Sequence, residues 1–176
     1  MDHPTLFLVV LGGRTDRSLI ELHDVRFVAG RCIEDTYSEL RRQWFGRRRG
    51  LHLDSYMAVH CIDGWKVTLD VEPPPQREQR LWFVNLGAYQ SVSLAELHRF
   101  GLVVAPSAQA AKAAAKKRWL FDALQQHKDD LSAVDDCLSV EQLSLTGRSI
   151  LHVHLDLHPD GDSQEQVPDW FGYRPI

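Results

Sequence analysis

Six consecutive apolar residues, Leu6 to Leu11, begin the patterned part of the chain, and Gly12 and Gly13 end the run. A run this short, bounded by glycines, predicts a strand buried on both faces. The pattern returns at Leu81 to Leu86, interrupted by Asn85 and ended by Gly87. β-Branched and aromatic residues then predict second strands over 19–29 and 94–104. The period changes next. Ile33, Tyr37, Leu40 and Trp44 are spaced by four, three and four, which is one apolar stripe along a helix. Arg41 and Arg42 sit near its end, where cations complement the helix dipole, and Gly46 is placed to supply a left-handed cap. In the second half Ser107 follows Pro106 as an N-cap, and Ala108, Ala111, Ala115 and Trp119 form the corresponding stripe. Two more strands close each half, at 56–62 and 65–71 and again at 138–145 and 149–157, with Asp63-Gly64 and Thr146-Gly147 as hairpin turns.

The resemblance of the halves is an internal repeat. Leu6–Gly30 aligns on Leu81–Ala105 without a gap, at an offset of 75, with ten identities in twenty-five positions. Average composition gives about one or two by chance. The same offset carries Trp44 onto Trp119, and a six-residue insertion then aligns Asp54 with Asp135 and Val59 with Val140. The predicted fold is therefore α+β: two tandem pseudo-symmetric ββαββ repeats, about eight mostly antiparallel strands, and two amphipathic helices packed on the sheet. The first repeat is expected over 1–71 and the second over 81–157, with a proline-rich linker at 72–80 and a tail at 158–176. Trp170, Phe171 and Tyr173 make that tail aromatic, so it is expected to dock on the body rather than expose an apolar patch. Such a duplication stands in for a homodimer, and the chain is expected to act as a monomer or a simple homodimer.

Composition narrows the function classes. The chain has 176 residues and a formal charge of −4, with 44% hydrophobic and 25% charged residues. It is globular rather than disordered, and it has no general cationic coat for nucleic acid. The first apolar run is too short to span a bilayer, and Asp2 and His3 before it make a poor signal sequence. Cys32, Cys61 and Cys137 are odd in number and widely spaced, which argues against a disulfide framework or zinc knuckle and for small core residues in a cytoplasmic protein.

Glu21-Leu-His-Asp-Val-Arg-Phe-Val28, Trp44-Phe-Gly46, Leu51-His-Leu-Asp54 and Asp63-Gly64 together resemble the bacterial family called domain of unknown function 1543. The second half carries the motif in degraded form, with Arg99 in place of Asp24 and Ala133-Val-Asp135 in place of His52-Leu-Asp54. The resemblance implies the tandem architecture. It implies no activity, cofactor or substrate.

Several side chains can carry chemistry. Glu21 and His23 are two apart on a predicted strand and share a face, as do Glu96 and His98. Meeting at a pseudo-twofold axis, these four would form a ligand site between repeats, able to take a divalent metal or relay protons. The plainer reading is a hydrogen-bonded pair that fixes strand geometry. His52 and Asp54, also two apart, would complete with Glu21 and His23 a second set inside the first repeat alone. His152 and His154 share a face of the last strand with His158 beyond it, a set that could hold a metal, but a solvated strand face is the plainer reading. Arg41, Arg42, Arg47, Arg48 and Arg49 form a basic patch for phosphate or nucleic acid. Aromatic interleaving of the kind that stacks single strands is missing, which disfavours nucleic acid. The leading expectation is a binding protein for a protein or small-molecule partner, with its site between the repeats. The alternatives are a metal-dependent enzyme using Glu21, His23, His52 and Asp54, and a phosphate or nucleic-acid binder using the arginines.

Overall fold

The computed structural model describes residues 3–76, 78–89, 91–119, 132–144, 150–158, 160–161 and 163–176. The fold is α+β, with mostly antiparallel strands and two α-helices among the described residues. The chain parts into two compact units, one of residues 1–74 with 142–176 and one of 75–141. Neither unit coincides with a sequence repeat, because the last strands of the second repeat join the first unit.

In the first unit, β1 (Thr5–Gly13) is flanked by β2 (Leu22–Gly30) and β3 (His52–Val59), and β11 (Trp170–Pro175) adds at the edge of β3. Between β2 and β3 the chain winds a 3-10 turn, Glu34–Thr36, and a short helix, α1 (Tyr37–Gln43). The stripe read from the sequence is the one buried: Ile33, Leu40 and Trp44 lie under 7% exposed, packed on Phe7, Val9, Leu11 and Leu53 of the sheet. A second sheet of the same unit has the order β4 (Cys61–Ile62), β5 (Trp65–Asp70), β10 (Ile150–Leu157), β9 (Gln142–Ser144). Thus the last strands of the two sequence repeats pair with each other, Val153 opposite Leu69. Both residues of the β4–β5 turn, Asp63 (φ 53°) and Gly64 (φ 78°), are left-handed, as a two-residue hairpin of this twist requires.

The second unit has the order β7 (Leu97–Ala105), β6 (Arg80–Ala88), β8 (Ser132–Ser139), with α2 (Ala108–Trp119) after β7. Ala111 and Ala115 are fully buried against Val84, Leu86 and Val103, so the alanine stripe lets helix and sheet approach closely. The Ser107 hydroxyl caps α2 by accepting from the Ala110 amide at 3.2 Å.

Four expectations need correction. The second strands begin at Leu22 and Leu97, and the repeat-matched Leu19 and Leu94 precede them at 93% and 111% exposure. β3 and β8 begin earlier than the apolar pattern suggested, because His52 and the residues around Asp135 already pair with β1 and β6. Gly46 is not a left-handed cap: Trp44 leaves the helix in extended conformation, and Gly46 instead gives close passage to the Arg14 carbonyl and the Trp44 indole. Cys32 is exposed rather than a core residue, and Cys61 and Cys137 are only half-buried. The Thr146-Gly147 turn lies outside the described residues. No helix of the described residues is long and apolar enough to cross a membrane.

Candidate functional site

The site forms where β1 runs out, between β2 and β3. Gly12 pairs with His23 on one side and His52 on the other, so the three lie on one rung of the sheet. Leu53 packs under α1, and alternation therefore turns His52 to the opposite face. β3 carries a bulge here: Val10 pairs with Ser55 and Leu11 with Leu53, which leaves Asp54 as the extra residue. A bulge re-aims its side chain, and this one brings Asp54 onto the face of the two histidines. Its Oδ2 lies 3.2 Å from His23 Nε2 and its Oδ1 lies 3.2 Å from His52 Nε2. Glu21 completes the group, with Oε1 at 3.5 Å from His52 Nε2. The set expected inside the first repeat, Glu21, His23, His52 and Asp54, thus assembles in the fold.

Burial divides the four. The His52 side chain is 2% exposed and the His23 side chain 55%, with Glu21 and Asp54 in between. His52 is held on three sides. Its Nδ1 donates to the Gly50 carbonyl at 2.9 Å, its ring lies 4.1 Å from the Tyr173 ring, and Gly12 passes beneath it. A Cβ at Gly12 would run into His52 Nε2 and stand 2.8 Å from Cε1, so only glycine fits. Tyr173 arrives through a second irregularity: β11 pairs through Phe171 and again through Arg174, and the intervening Gly172 takes φ 144°. The tail is anchored by Trp170, stacked on Tyr56, and by the Arg174 guanidinium, 4.1 Å over the Trp170 ring.

The Gly50 carbonyl only accepts, so His52 Nδ1 is the donor of that bond. Nε2 faces oxygens of Asp54 and Glu21, which also only accept, so a proton is shared between that nitrogen and the nearer carboxylate. Asp54 Oδ1, 3.2 Å from Nε2, is at direct hydrogen-bond distance, with no space for a ligand atom between them. A metal is the other cation that could be considered. Yet among the described residues no set of three or more His, Cys, Asp and Glu is arranged to hold one.

The second repeat repeats the scaffold without the site. β8 is bulged at the equivalent place: Asn85 pairs with Asp136 and Leu86 with Val134, leaving Asp135 as the extra residue. Gly87 again pairs with a histidine, His98, on one side, but with Ala133 on the other. His98 turns to its own surroundings, with Nδ1 at 3.3 Å from Asn85 Nδ2 and Nε2 at 3.9 Å from Glu96. Glu96 and His98 belong to the second unit and Glu21 and His23 to the first.

The basic patch is split. Arg42 is bound by Glu39, Nε donating to Oε2 at 2.8 Å, and Arg47 is ion-paired to Asp16. Arg41, Arg48 and Arg49 are exposed, and their side chains have no polar partner among the described residues. His152 and His154 are half-buried rather than solvated, and His154 Nε2 meets the Glu72 carbonyl at 2.8 Å.

Sequence reasoning missed Gly12, Gly50 and Tyr173. The glycine pair reads from the sequence only as a strand end, and the tail docks as an edge strand on β3 but, against expectation, leaves Phe171 77% and Tyr173 65% exposed.

A tandem α+β chain with one intact and one degenerate copy of a histidine–carboxylate motif is the class these observations define. The family model described as Domain of Unknown Function (DUF1543) matches residues 18–69 and 93–142, one match per repeat, and the chain belongs to that family. Among solved structures it is similar to a protein Il1583 from Idiomarina loihiensis, at 38% identity and a TM-score of 0.74, covering 98% of this chain and 97% of that one. No curated protein matches it.

Proposed function

We propose that this protein binds a small molecule at the end of β1 in the first repeat and exchanges a proton with it there. The observation that supports this reading is the convergence of His52 Nε2, Asp54 and Glu21 beside an exposed imidazole, His23. Asp54 orients the exposed His23 ring through Nε2, which is the arrangement of a general acid–base dyad. His52 Nε2, between Asp54 and Glu21, holds Asp54 from behind through the proton they share. The second repeat, a copy of the same ββαββ unit in this reading, keeps the strand geometry and serves as scaffold. The ligand site is thus placed within the first repeat rather than between repeats, and no metal is called on. Three cysteines without a disulfide suit a cytoplasmic setting.

A screen of small polar compounds by thermal shift and ligand-observed NMR tests this. Compounds that bind the wild type are expected to lose affinity by about tenfold or more in His23→Ala and Asp54→Asn and to bind His98→Ala unchanged. Equal binding to wild type and His23→Ala, or loss in His98→Ala, contradicts the reading.

A further inference from the structure

Two loops of the first unit, after β1 and after α1, flank an open cleft of about 430 Å³, lined by Thr15, Asp16, Arg17, Phe45, Gly46 and Arg47. The loops are tied together at its base, where the Arg47 amide donates to the Arg14 carbonyl at 2.7 Å. They are the loops that lead into the cluster: 14–20 runs from β1 to Glu21 and His23, and 45–51 runs from α1 to His52 and Asp54. The consecutive glycines that end β1 abut both, Gly12 against His52 and Gly13 against the Trp44 indole that supports Phe45.

We infer that this cleft is an anion site for a small organic phosphate with a planar ring. Three observations converge. Arg17 lines the cleft with no polar partner for its guanidinium among the described residues, and no carboxylate neutralises it. Arg47 lines it too, and its single ion pair, with Asp16 through Nε, fixes the guanidinium while leaving donors over. Asp16 is the one acidic group in the lining, so two guanidinium groups outweigh one carboxylate. Phe45 is 56% exposed and rests on Trp44 at 4.6 Å between ring centres, a fixed apolar plate without a cover. Two guanidiniums beside an open aromatic ring match a phosphate attached to a planar group. The volume suits a small molecule, and the one aromatic plate at the cleft offers no track for successive bases. In the second repeat Tyr89 and Val92 replace Arg14 and Arg17, so the anion site, like the cluster, belongs to the first repeat alone. Only its use as the substrate subsite of the cluster rests on the acid–base reading; anion binding does not.

Titration of the full chain with inorganic phosphate and with phenyl phosphate, followed by NMR, tests the proposal. Saturable binding of both is expected, tighter for phenyl phosphate. Arg17→Ala, which breaks no hydrogen bond or ion pair within the described residues, is expected to weaken both by about tenfold. Phe45→Ala is expected to remove only the preference for phenyl phosphate. His23→Ala is expected to leave phosphate binding intact, so loss of acid–base function and loss of the anion site read out separately. Arg31→Ala, at an exposed arginine elsewhere on the first unit, serves as the charge control. Absence of saturable binding, or equal weakening by Arg31→Ala and Arg17→Ala, overturns the proposal. So does binding of a single-stranded oligonucleotide far tighter than phenyl phosphate, which would make the arginines a nucleic-acid face.

Discussion

At the scale of single residues, the site depends on what is small or unsatisfied as much as on what is reactive. Gly12 has no side chain because His52 occupies the space one would take. The residue pair Gly12-Gly13 looked like strand punctuation in the sequence, and nothing in its spacing distinguishes that from close packing. Gly12→Ala is expected to push the His52 ring off Asp54 and Glu21 at a cost of about 1–3 kcal/mol. The checks are a fall in Tm and changed His52 ring signals in NMR. An unchanged Tm together with unchanged ring signals would mean that the ring is not held as described. Glu21, His23, His52 and Asp54 were legible because alternation along a strand needs only two-residue spacing. Tyr173 was not, since its contact with His52 spans most of the chain and follows from the irregularity at Gly172.

At the scale of elements, the apolar patterns located the cores of β1, β2, β5, β6, β7 and β10 and both helices, but β11 reads only as an aromatic tail and the strand expected over 138–145 misses most of β8. His52 begins β3 because pairing with Gly12 continues past the apolar stretch. The bulges at Asp54 and Asp135 lie in both copies at the aligned aspartates, so the alignment carried the information although a bulge has no sequence signature of its own. Helix α1 is seven residues long and relies on its contacts. Its buried Glu39 accepts from Arg42 and Gln43, and the hydrogen bond from Arg42, above all, holds its carboxyl below the usual glutamate range against the opposing effect of burial. A carboxylate with a lowered folded value stabilises above its unfolded value, and that contribution fades as pH falls through the folded value. Glu39→Gln is therefore expected to cost about 1–2 kcal/mol at neutral pH. The gap to wild type should narrow in acid below the ordinary value of 4.5, as read from urea melts across that range. A gap independent of pH would show that the charge on Glu39 is not what matters.

At the scale of the whole molecule, duplication provided two scaffolds and divergence left one site. The offset between the copies was legible because ten identities survive in twenty-five aligned positions. The pairing of β5 with β10 was not, since both are alternating strands and each could have closed its own repeat. Sequence repeats and compact units consequently divide the chain differently. Ala133 in place of His52 was the sequence sign of asymmetry, and the rung Gly87–Ala133 gives it physical content: the bulge remains, but the buried imidazole is gone. The claim on which the rest depends is that His23, Asp54 and His52 act as one connected group. Long-range ¹H–¹⁵N correlation of the histidine rings measures this directly, because it reports which nitrogen of each ring carries the proton. The account requires a protonated Nδ1 on His52, from its bond to Gly50, and a proton held on Nε2 of His23 that is lost to tautomer averaging in Asp54→Asn. A His23 ring that averages its tautomers in the wild type as it does in Asp54→Asn would contradict it.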